Sequence, residues 1–133
     1  MPAAYAGDAK SEIGDAMEAT DKGLCHKAFA LLERAQKKAP DDYQVYMSSG
    51  AIYTRCAKPA QSRQYYEKAI ALAKHLKVQN QYTKSDIAIA YRALGNNAYA
   101  INYGKQAKKL FSDAGDDSQV ENMDMLISDL KGR

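Results

Sequence analysis

The chain has few of the residues that build sheets, and it has no apolar stretch long enough for a membrane helix. Valine occurs only at Val45, Val78 and Val120, and β-branched residues are enriched in strands. Three prolines interrupt 133 residues in which alanine, leucine, lysine and glutamine are common, and these residues favour helix. No run approaches the ~18 consecutive apolar residues of a membrane span. The composition therefore predicts an all-α protein that does not insert into a membrane.

Residue patterns for catalysis, cofactors and metals are also lacking. The two histidines, His26 and His75, have no cysteine or carboxylate at the spacing of metal ligands. The sequence contains no glycine-rich phosphate loop, no HExxH and no GxSxG. We therefore expect no catalytic residues, no cofactor and no metal, and we interpret the protein as a binding module.

The two cysteines, Cys25 and Cys56, are isolated from each other in the sequence. A disulfide between them is possible. However, the first 25 residues carry five acidic residues and no apolar run, which is unlike a secretory signal. A single bridge is uncommon in a helical chain without such a signal. We therefore interpret both cysteines as reduced thiols and expect the protein in the cytoplasm.

The charges are distributed unevenly although the formal net charge is only +3. Residues 1–21 contain five acids against one base, a balance of −4. Residues 22–109 contain sixteen bases against five acids (+11), and residues 110–133 six acids against two bases (−4). A basic middle can attract acidic partners, but lysines also solvate the outer faces of helices.

One pattern, a small residue, then a larger one, then alanine, occurs three times. Its copies are Ala28-x3-Leu32-x2-Ala35, then Ser62-x3-Tyr66-x2-Ala69, then Ala100-x3-Gly104-x2-Ala107. The copies begin 34 and 38 residues apart, and self-similarity at 20–50 residues indicates stacked helical hairpins. Gly104 departs from the pattern. It either loosens the packing of the sixth helix or leaves space for Tyr99, Tyr103 or a capping helix to fill.

Periodicity and turn residues predict seven helices. The first covers residues 9–20 with Ile13, Ala16 and Met17 inward, and the second covers 25–38 with Ala28, Leu32 and Ala35 inward. Asp41 or Asp42 caps a third that ends near Arg55, and Pro59 begins a fourth that extends to about Val78. The extra turn of this fourth helix would explain the 38-residue spacing. A fifth begins after Asn80, a sixth has Ala100, Ala107 and Leu110 inward, and the last covers 118–131.

The chain resembles the tetratricopeptide repeat family. The middle repeat carries Tyr46-x2-Ser49-Gly50-x2-Tyr53 and then Ser62-x3-Tyr66-x2-Ala69, and the third carries Ile87-Ala88-x2-Tyr91. The resemblance implies a right-handed α-solenoid of three helix hairpins, at about residues 9–40, 41–79 and 80–116. A capping helix at 117–131 would complete a single domain at 9–133, and residues 1–8 would form a loose tail.

The resemblance also implies a function, because first helices of such repeats line a groove for a partner peptide or helix. The expected module is a non-enzymatic adaptor or scaffold. Its expected groove residues are Gln44, Met47, Ala51, Thr54, Arg55, Tyr82, Ser85, Ile89 and Arg92, with Ser11, Asp15 and Glu18 from the first repeat. Chaperone-binding members use Lys and Asn on the first helix and Lys and Arg on the fifth. Here Ser11, Asp15, Tyr82 and Asp86 occupy those places, so that binding mode is not expected.

Two other interpretations are possible. The acidic ends could meet the basic middle of a second copy, or the capping faces of two copies could join. Either contact would make the protein a homo-oligomer. Exposed aromatic rings beside basic residues can also bind single-stranded nucleic acid. The tyrosines that the repeat pattern does not assign to packing are Tyr43, Tyr65, Tyr82, Tyr99 and Tyr103, and they are predicted to lie on several faces. Nucleic-acid binding is therefore less favoured than protein binding.

Overall fold

The structure is a computed structural model that describes residues 9–132. Its seven helices are α1 (Lys10–Asp21), α2 (Cys25–Lys38), α3 (Tyr43–Arg55), α4 (Pro59–Lys74), α5 (Gln81–Ala93), α6 (Asn97–Asp113) and α7 (Asp117–Lys131). There is no strand within that range. The predicted all-α class is therefore confirmed, while the predicted tail at residues 1–8 lies outside the described residues.

The helices belong to two compact units that divide between Leu72 and Ala73. Unit 1 contains α1, α2, α3 and most of α4, and unit 2 contains the last residues of α4 together with α5, α6 and α7. The hand of the solenoid and its single-domain organisation stay predictions.

Each tight turn between helices has one residue in the left-handed region. These residues are Gly23, Ala57, Gly95 and Gly115, with φ of 76°, 59°, 80° and 73°. At each turn the next amide bonds back to the preceding helix, as in Lys58 N to Tyr53 O at 2.9 Å and Asn96 N to Tyr91 O at 2.9 Å. This Schellman arrangement satisfies carbonyl groups that a helix end leaves unpaired.

Short polar side chains cap four of the helices, namely α3, α5, α6 and α7. The sequence predicts the caps of α3 and α5, and in α6 Asn96 Oδ1 accepts from Tyr99 N at 3.4 Å. Asp42 Oδ1 accepts from Gln44 N at 2.9 Å, Asn80 Oδ1 accepts from Thr83 N at 2.9 Å, and Asp116 Oδ1 accepts from Gln119 N at 3.2 Å. Burial raises the pKa of Asp42, and the hydrogen bond from Gln44 opposes that rise. These caps satisfy amides at the start of α3, α5, α6 and α7.

The prediction for the end of α4 is wrong. The helix ends at Lys74, and residues 75–80 are not helical, with Val78 79% exposed. Two changes produce the longer repeat spacing: α4 has 16 residues against 14 in α2, and the connection after it covers 75–80 against 39–42. An apolar residue after the helix therefore did not extend it, because nothing in the structure buries Val78.

Unit 1 packs through the small residues of the repeat pattern. Ala28, Leu32 and Ala35 are buried as predicted, whereas Met17 is 47% exposed, so its predicted inward position is wrong. The buried face of α1 consists of Ile13, Ala16, Ala19 and Thr20. Gly50 lies directly against the ring of Tyr66, where an added Cβ would meet ring atoms at 2.8 Å.

Unit 2 packs differently around the third copy of the pattern. Ala100 and Ala107 are buried as predicted, but Leu110 is only half-buried and Phe111 is the core residue at the end of α6. A Cβ on Gly104 would meet side-chain atoms of Leu126 and Ile127 at 3.4 Å. Among the alternatives for the space at Gly104, the structure therefore selects the capping helix.

A disulfide joins Cys25 to Cys56, so the interpretation of both cysteines as reduced thiols is wrong. Cys25 is the first residue of α2 and Cys56 follows the last residue of α3. Neighbouring helices joined by a short turn run antiparallel, which places the start of α2 beside the end of α3. The two Cα atoms are 6.0 Å apart, within the usual range for a disulfide.

Candidate partner-binding groove

A hollow of unit 2 lies between α5 and α7 and has a volume of about 520 Å³. Three residues of α5 line it, namely Ser85, Ile89 and Arg92, and the sequence predicts all three as groove residues. The other side is formed by α7 with Gln119, Asn122, Met123, Met125, Leu126 and Asp129. We call this hollow the α5/α7 groove.

The groove changes character along its length. Because the α5–α6 and α6–α7 turns each reverse the chain, α5 and α7 run in the same direction. Ser85 therefore lies toward the end with Gln119 and Asn122, and Arg92 toward the end with Asp129. Between these ends the lining is apolar: Met123 and Leu126 are buried, Ile89 is half-buried and Met125 is 65% exposed.

The two arginines predicted for the groove have different environments. In unit 1 the Arg55 guanidinium forms an ion pair with Asp21 of α1 at 2.8 Å. In unit 2 Arg92 is exposed, and its guanidinium forms no ion pair or hydrogen bond with any residue in the range 9–132. Asp129, the acidic residue of the groove lining, also interacts with another group. Arg92 is therefore the groove arginine whose charge is not used within the fold.

The other predicted residues of α3 mostly contact their own unit. The Thr54 hydroxyl bonds the Gly50 carbonyl at 3.0 Å and the Ser62 hydroxyl of α4 at 2.6 Å. Met47 is half-buried against the core of unit 1, and Ala51 is half-buried. Gln44 Oε1 is buried and has no hydrogen-bond partner among the described residues.

The remaining predicted residues lie elsewhere. Tyr82 of α5 packs edge-on against Phe111 of α6, with centroids 5.4 Å apart, and is not part of the groove lining. Asp15 and Glu18 line a hollow of about 260 Å³ between α1 and α2, together with Ala19, Lys22, Leu24, Lys27 and Leu31. Ser11 is exposed on α1.

A second ion pair in unit 1 connects α1 with the end of α2. Lys38 Nζ lies 2.7 Å from Glu12 Oε2, and this hydrogen bond is the main reason that the pKa of Glu12 is lowered. Lys38 and Glu12, like Arg55 and Asp21, are therefore paired with each other within unit 1.

The tyrosines left over by the repeat pattern are mostly part of the packing. Tyr43 is buried, and Tyr65 packs at 5.0 Å from the ring of Tyr53. Tyr103 lies 5.8 Å from the ring of Tyr91. Only Tyr82 and Tyr99 of this group are about half exposed, at 49% and 52%. Three of the five tyrosines, Tyr43, Tyr65 and Tyr103, are therefore buried or half-buried in the packing.

Sequence reasoning missed the contribution of α7, which it treated only as a cap. Its buried stripe, Met123, Leu126, Ile127 and Leu130, serves that purpose. A second stripe is present at Asn122, Met125 and Asp129, at helical spacing on the adjacent side. An exposed methionine between two polar residues was the available signal.

Residues 9–132 contain no group of three or more histidine, cysteine or carboxylate side chains that could hold a metal ion. None of the helices in this range combines the length and the apolar character that a membrane crossing requires.

Comparison with solved structures identifies the architecture. The N-terminal domain of stress-induced protein-1 (STI-1) from C. elegans matches with a TM-score of 0.54 and 19% identity, covering 89% of this chain and 93% of that one. The fold is a tetratricopeptide-like helical repeat. No protein-family model matches the chain, and no curated protein sequence matches it. At this identity the likeness concerns the fold alone.

Proposed function

We propose that the protein is a non-enzymatic interaction module that binds a segment of a partner protein through the inner faces of its first helices. The observation that carries this proposal is the α5/α7 groove, where Ser85, Ile89 and Arg92 meet the apolar side of α7. A groove with an apolar floor and a few polar groups is typical of sites that hold a peptide or an amphipathic helix. The repeat-like fold supports the same role.

The proposal gives the two sets of predicted residues different weights. Ser85, Ile89 and Arg92 contribute directly to the groove of unit 2, whereas Met47, Ala51 and Arg55 are separate candidates in unit 1. Since Arg55 is paired with Asp21, a partner would have to compete for it. We therefore assign the main share of the affinity to unit 2.

Quantitative affinity capture tests the proposal. The native chain is compared with a variant carrying Arg55→Glu and Arg92→Glu, and with a control carrying Lys37→Glu and Lys109→Glu. The control lysines are 77% and 78% exposed and pair only within their own helices, so the control changes the net charge equally outside the groove. A partner retained by the native chain and the control but lost by the arginine variant supports the proposal.

The same captured proteins from all three chains would overturn the assignment of the groove. Thermal unfolding of each variant separates loss of binding from loss of folding. Single Arg55→Glu and Arg92→Glu variants then show which unit carries the affinity.

Self-association and nucleic-acid binding are the alternatives. Light scattering at low and high salt detects the first, because pairing between acidic and basic regions weakens with added salt. Retention on single-stranded DNA or RNA in dilute buffer tests the second. Neither alternative has a structural feature that favours it over the groove.

The Cys25–Cys56 disulfide bears on the compartment of the protein. Cytoplasmic localisation stays a prediction, and the Cys25–Cys56 bond opposes it because disulfides persist mainly in oxidising compartments. Alkylation of free thiols at the moment of cell lysis distinguishes the two. Full labelling of both cysteines supports the cytoplasm, whereas protection of both supports an oxidising compartment.

A further inference from the structure

We propose that unit 2 carries a second binding site, for a single nucleotide, in which the base stacks on the ring of Tyr99 and the phosphate pairs with the ammonium of Lys74. The site is formed by two lysines and three tyrosines, namely Lys74, Lys84, Tyr91, Tyr99 and Tyr103. We call these residues the tyrosine–lysine cluster. None of them lines the α5/α7 groove, so this site goes beyond the proposed function and does not depend on it.

The three tyrosine rings of the cluster form a stack. Tyr91 of α5 is stacked on Tyr99 with ring centroids 5.1 Å apart, and on Tyr103 with ring centroids 5.8 Å apart. Tyr99 and Tyr103 both belong to α6, and within residues 9–132 their rings pair with Tyr91 and not with each other. Tyr91 therefore lies between the two rings of α6, and Tyr99 forms one end of the stack.

The Tyr99 end of the stack is open. Tyr99 is 52% exposed, whereas Tyr91 and Tyr103 are half-buried. A base stacks well on an aromatic side chain whatever its identity, because every base has a π-face, and a strand uses a row of such side chains for successive bases. One open ring accommodates one base, so the stack favours a single nucleotide over a strand.

Lys74 supplies a positive charge at the edge of this stack. Its Nζ lies 5.9 Å from the ring centroid of Tyr99 and donates a hydrogen bond to the Tyr91 hydroxyl at 2.8 Å. Because the Tyr91 oxygen accepts this bond, its own O–H stays available as a donor, and the ammonium has further N–H groups. A phosphate at this position gains charge-assisted hydrogen bonds. The distance from ring to ammonium is of the size that one sugar places between a base and its phosphate.

The positive charge of the cluster is not neutralised by a carboxylate. Lys84 Nζ lies 5.3 Å from the ring centroid of Tyr103 and donates a hydrogen bond to Gln106 Oε1, a neutral group, at 2.8 Å. Neither Lys74 nor Lys84 forms an ion pair with any residue in the range 9–132. Two ammonium groups beside one ring stack attract an anion.

The acidic residues of the surrounding helices lie away from the cluster. Asp86 is on the opposite side of α5 from Lys84, because two residues turn a helix by about 200°. Asp113 ends α6 and pairs with Lys109 at 3.3 Å, and Asp129 of α7 lines the α5/α7 groove. The cluster is therefore a positive site, in contrast to the groove, which has an acidic residue in its lining.

An NMR titration of the purified full chain tests the proposal. The probe is adenosine monophosphate, compared with adenosine, which lacks the phosphate, and with ribose phosphate, which lacks the base. The native chain is expected to bind adenosine monophosphate roughly fivefold or more tightly than either comparison compound, because each of them lacks one of the two contacts. The amide signals that shift are expected in α5 and α6 around the cluster.

Variants of the two contact residues separate stacking from charge. Tyr99→Ser is expected to weaken binding of adenosine monophosphate and of adenosine by roughly fivefold or more, whereas Tyr99→Phe keeps the ring and is expected to change both by less than about twofold. Lys74→Gln is expected to weaken binding of adenosine monophosphate by roughly fivefold or more and to leave adenosine unchanged. Lys105→Gln, the same loss of charge at an exposed position of α6 outside the cluster, is the matched control and is expected to have an effect below about twofold.

The proposal is wrong if adenosine monophosphate does not bind measurably, or if it binds no better than adenosine or ribose phosphate. It is also wrong if Lys74→Gln and Lys105→Gln lose equally, or if Tyr99→Phe, with unfolding temperature unchanged, loses as much as Tyr99→Ser. Much tighter binding of a single-stranded oligoadenylate than of adenosine monophosphate would overturn it too, because the ligand would then be a strand. These variants lie outside the α5/α7 groove, so capture of a partner protein tests the proposed function separately.

Discussion

Units 1 and 2 each contain an equivalent pair of packed tyrosines, but the side chains around the two pairs differ. In unit 1 the ring centroids of Tyr53 and Tyr65 are 5.0 Å apart. The corresponding tyrosines of unit 2 lie 38 positions later in the sequence, and the ring centroids of Tyr91 and Tyr103 are 5.8 Å apart. In unit 1 the next ring is Phe29 of α2, stacked on Tyr53 at 4.2 Å. In unit 2 the neighbours are charged or exposed, as the contacts of Lys74 show.

Lys74 lies near three tyrosine rings of unit 2. Its ammonium is 5.3 Å from the ring centroid of Tyr91, 5.9 Å from that of Tyr99 and 5.7 Å from that of Tyr103. It also donates a hydrogen bond to the Tyr91 hydroxyl at 2.8 Å, which is the main reason that the pKa of Lys74 is raised. Such cation–π contacts keep one end of the side chain in water.

The comparison teaches that one repeat pattern can build either a closed core or an accessible surface. Unit 1 adds an apolar ring, a disulfide and the ion pairs of Glu12 and Asp21. Unit 2 has no disulfide, pairs Lys108 with Asp124 at 2.6 Å, and has a groove of about 520 Å³ beside α5, against a hollow of about 260 Å³ in unit 1. The elements that differ lie outside the repeated pattern itself.

Reducing the disulfide should produce the largest difference between the units. The bond closes a loop of sequence separation 31, for which chain entropy gives a stabilisation of about 3–4 kcal/mol. The variant Cys25→Ser with Cys56→Ser should lower the free energy of opening in α2 and α3 by that amount. Hydrogen exchange should show little change in α6 and α7, and equal losses in both units would contradict the comparison.

Alanine at the two helix-packing glycines should act in opposite directions. At Gly50 a Cβ would meet the Tyr66 ring at 2.8 Å, and overpacking costs about 1–3 kcal/mol. At Gly104 the nearest atoms are 3.4 Å away on flexible side chains, so the gain of about 1 kcal/mol in helix propensity should dominate. Chemical denaturation of Gly50→Ala and Gly104→Ala measures both, and destabilisation of similar size would show that α7 packs as rigidly as Tyr66.

The turns offer a smaller test of the same kind. Ala57 has φ 59°, whereas Gly95 occupies the equivalent place in unit 2 with φ 80°. A left-handed conformation costs a residue with a Cβ about 1 kcal/mol. Ala57→Gly should therefore stabilise by about 0.5–1 kcal/mol, and Gly95→Ala should destabilise by a similar amount. A loss of stability in Ala57→Gly would mean that the methyl group makes contacts that outweigh the backbone cost.

The last prediction concerns tyrosine ionisation in unit 1. Burial, with a smaller contribution from Tyr65, raises the pKa of Tyr53 from 10.0 to about 12. Because the folded state favours the neutral phenol, the stability from Tyr53 is fully present below about pH 10 and is lost as pH rises toward about 12. Ultraviolet titration should show that Tyr53→Phe removes a late-ionising component. A curve that keeps the whole late component would contradict the assignment, and Tyr91→Phe serves as the comparison from unit 2.

Much of the local structure could be predicted because its signals lie close together in the sequence. The spacing of Ala28, Leu32 and Ala35 predicted a buried face, and Asp42 and Asn80 predicted helix starts, since each depends on residues within one or two turns. The end of α4 was missed because Leu76 and Val78 continue an apolar pattern without being buried. Met17 was predicted to face inward because the apolar residues of α1 also fit a helix rotated slightly about its axis, and the sequence does not choose between the two rotations.

The candidate site could be predicted only in part. Ser85, Ile89 and Arg92 were selected by position in the repeat, and the structure brings these three together with α7. The role of α7 was not expected because a helix that covers a core also has edges, and only its neighbours decide whether an edge lies in a groove. The disulfide had a sequence signal that was not used, since Cys25 and Cys56 begin and follow two antiparallel helices of similar length.

The sequence by itself determined where most helices begin and end, which faces are buried and that hairpins repeat, because hydrogen bonds and side-chain periodicity within a helix connect residues at most four positions apart. Tertiary structure alone decided that Arg55 pairs with Asp21 while Arg92 does not pair within the described chain, and that Leu126 and Ile127 fill the space at Gly104. These outcomes depend on the distance between helices that are far apart in sequence. Packing sets that distance through the side chains of both helices together, so neither helix specifies it alone.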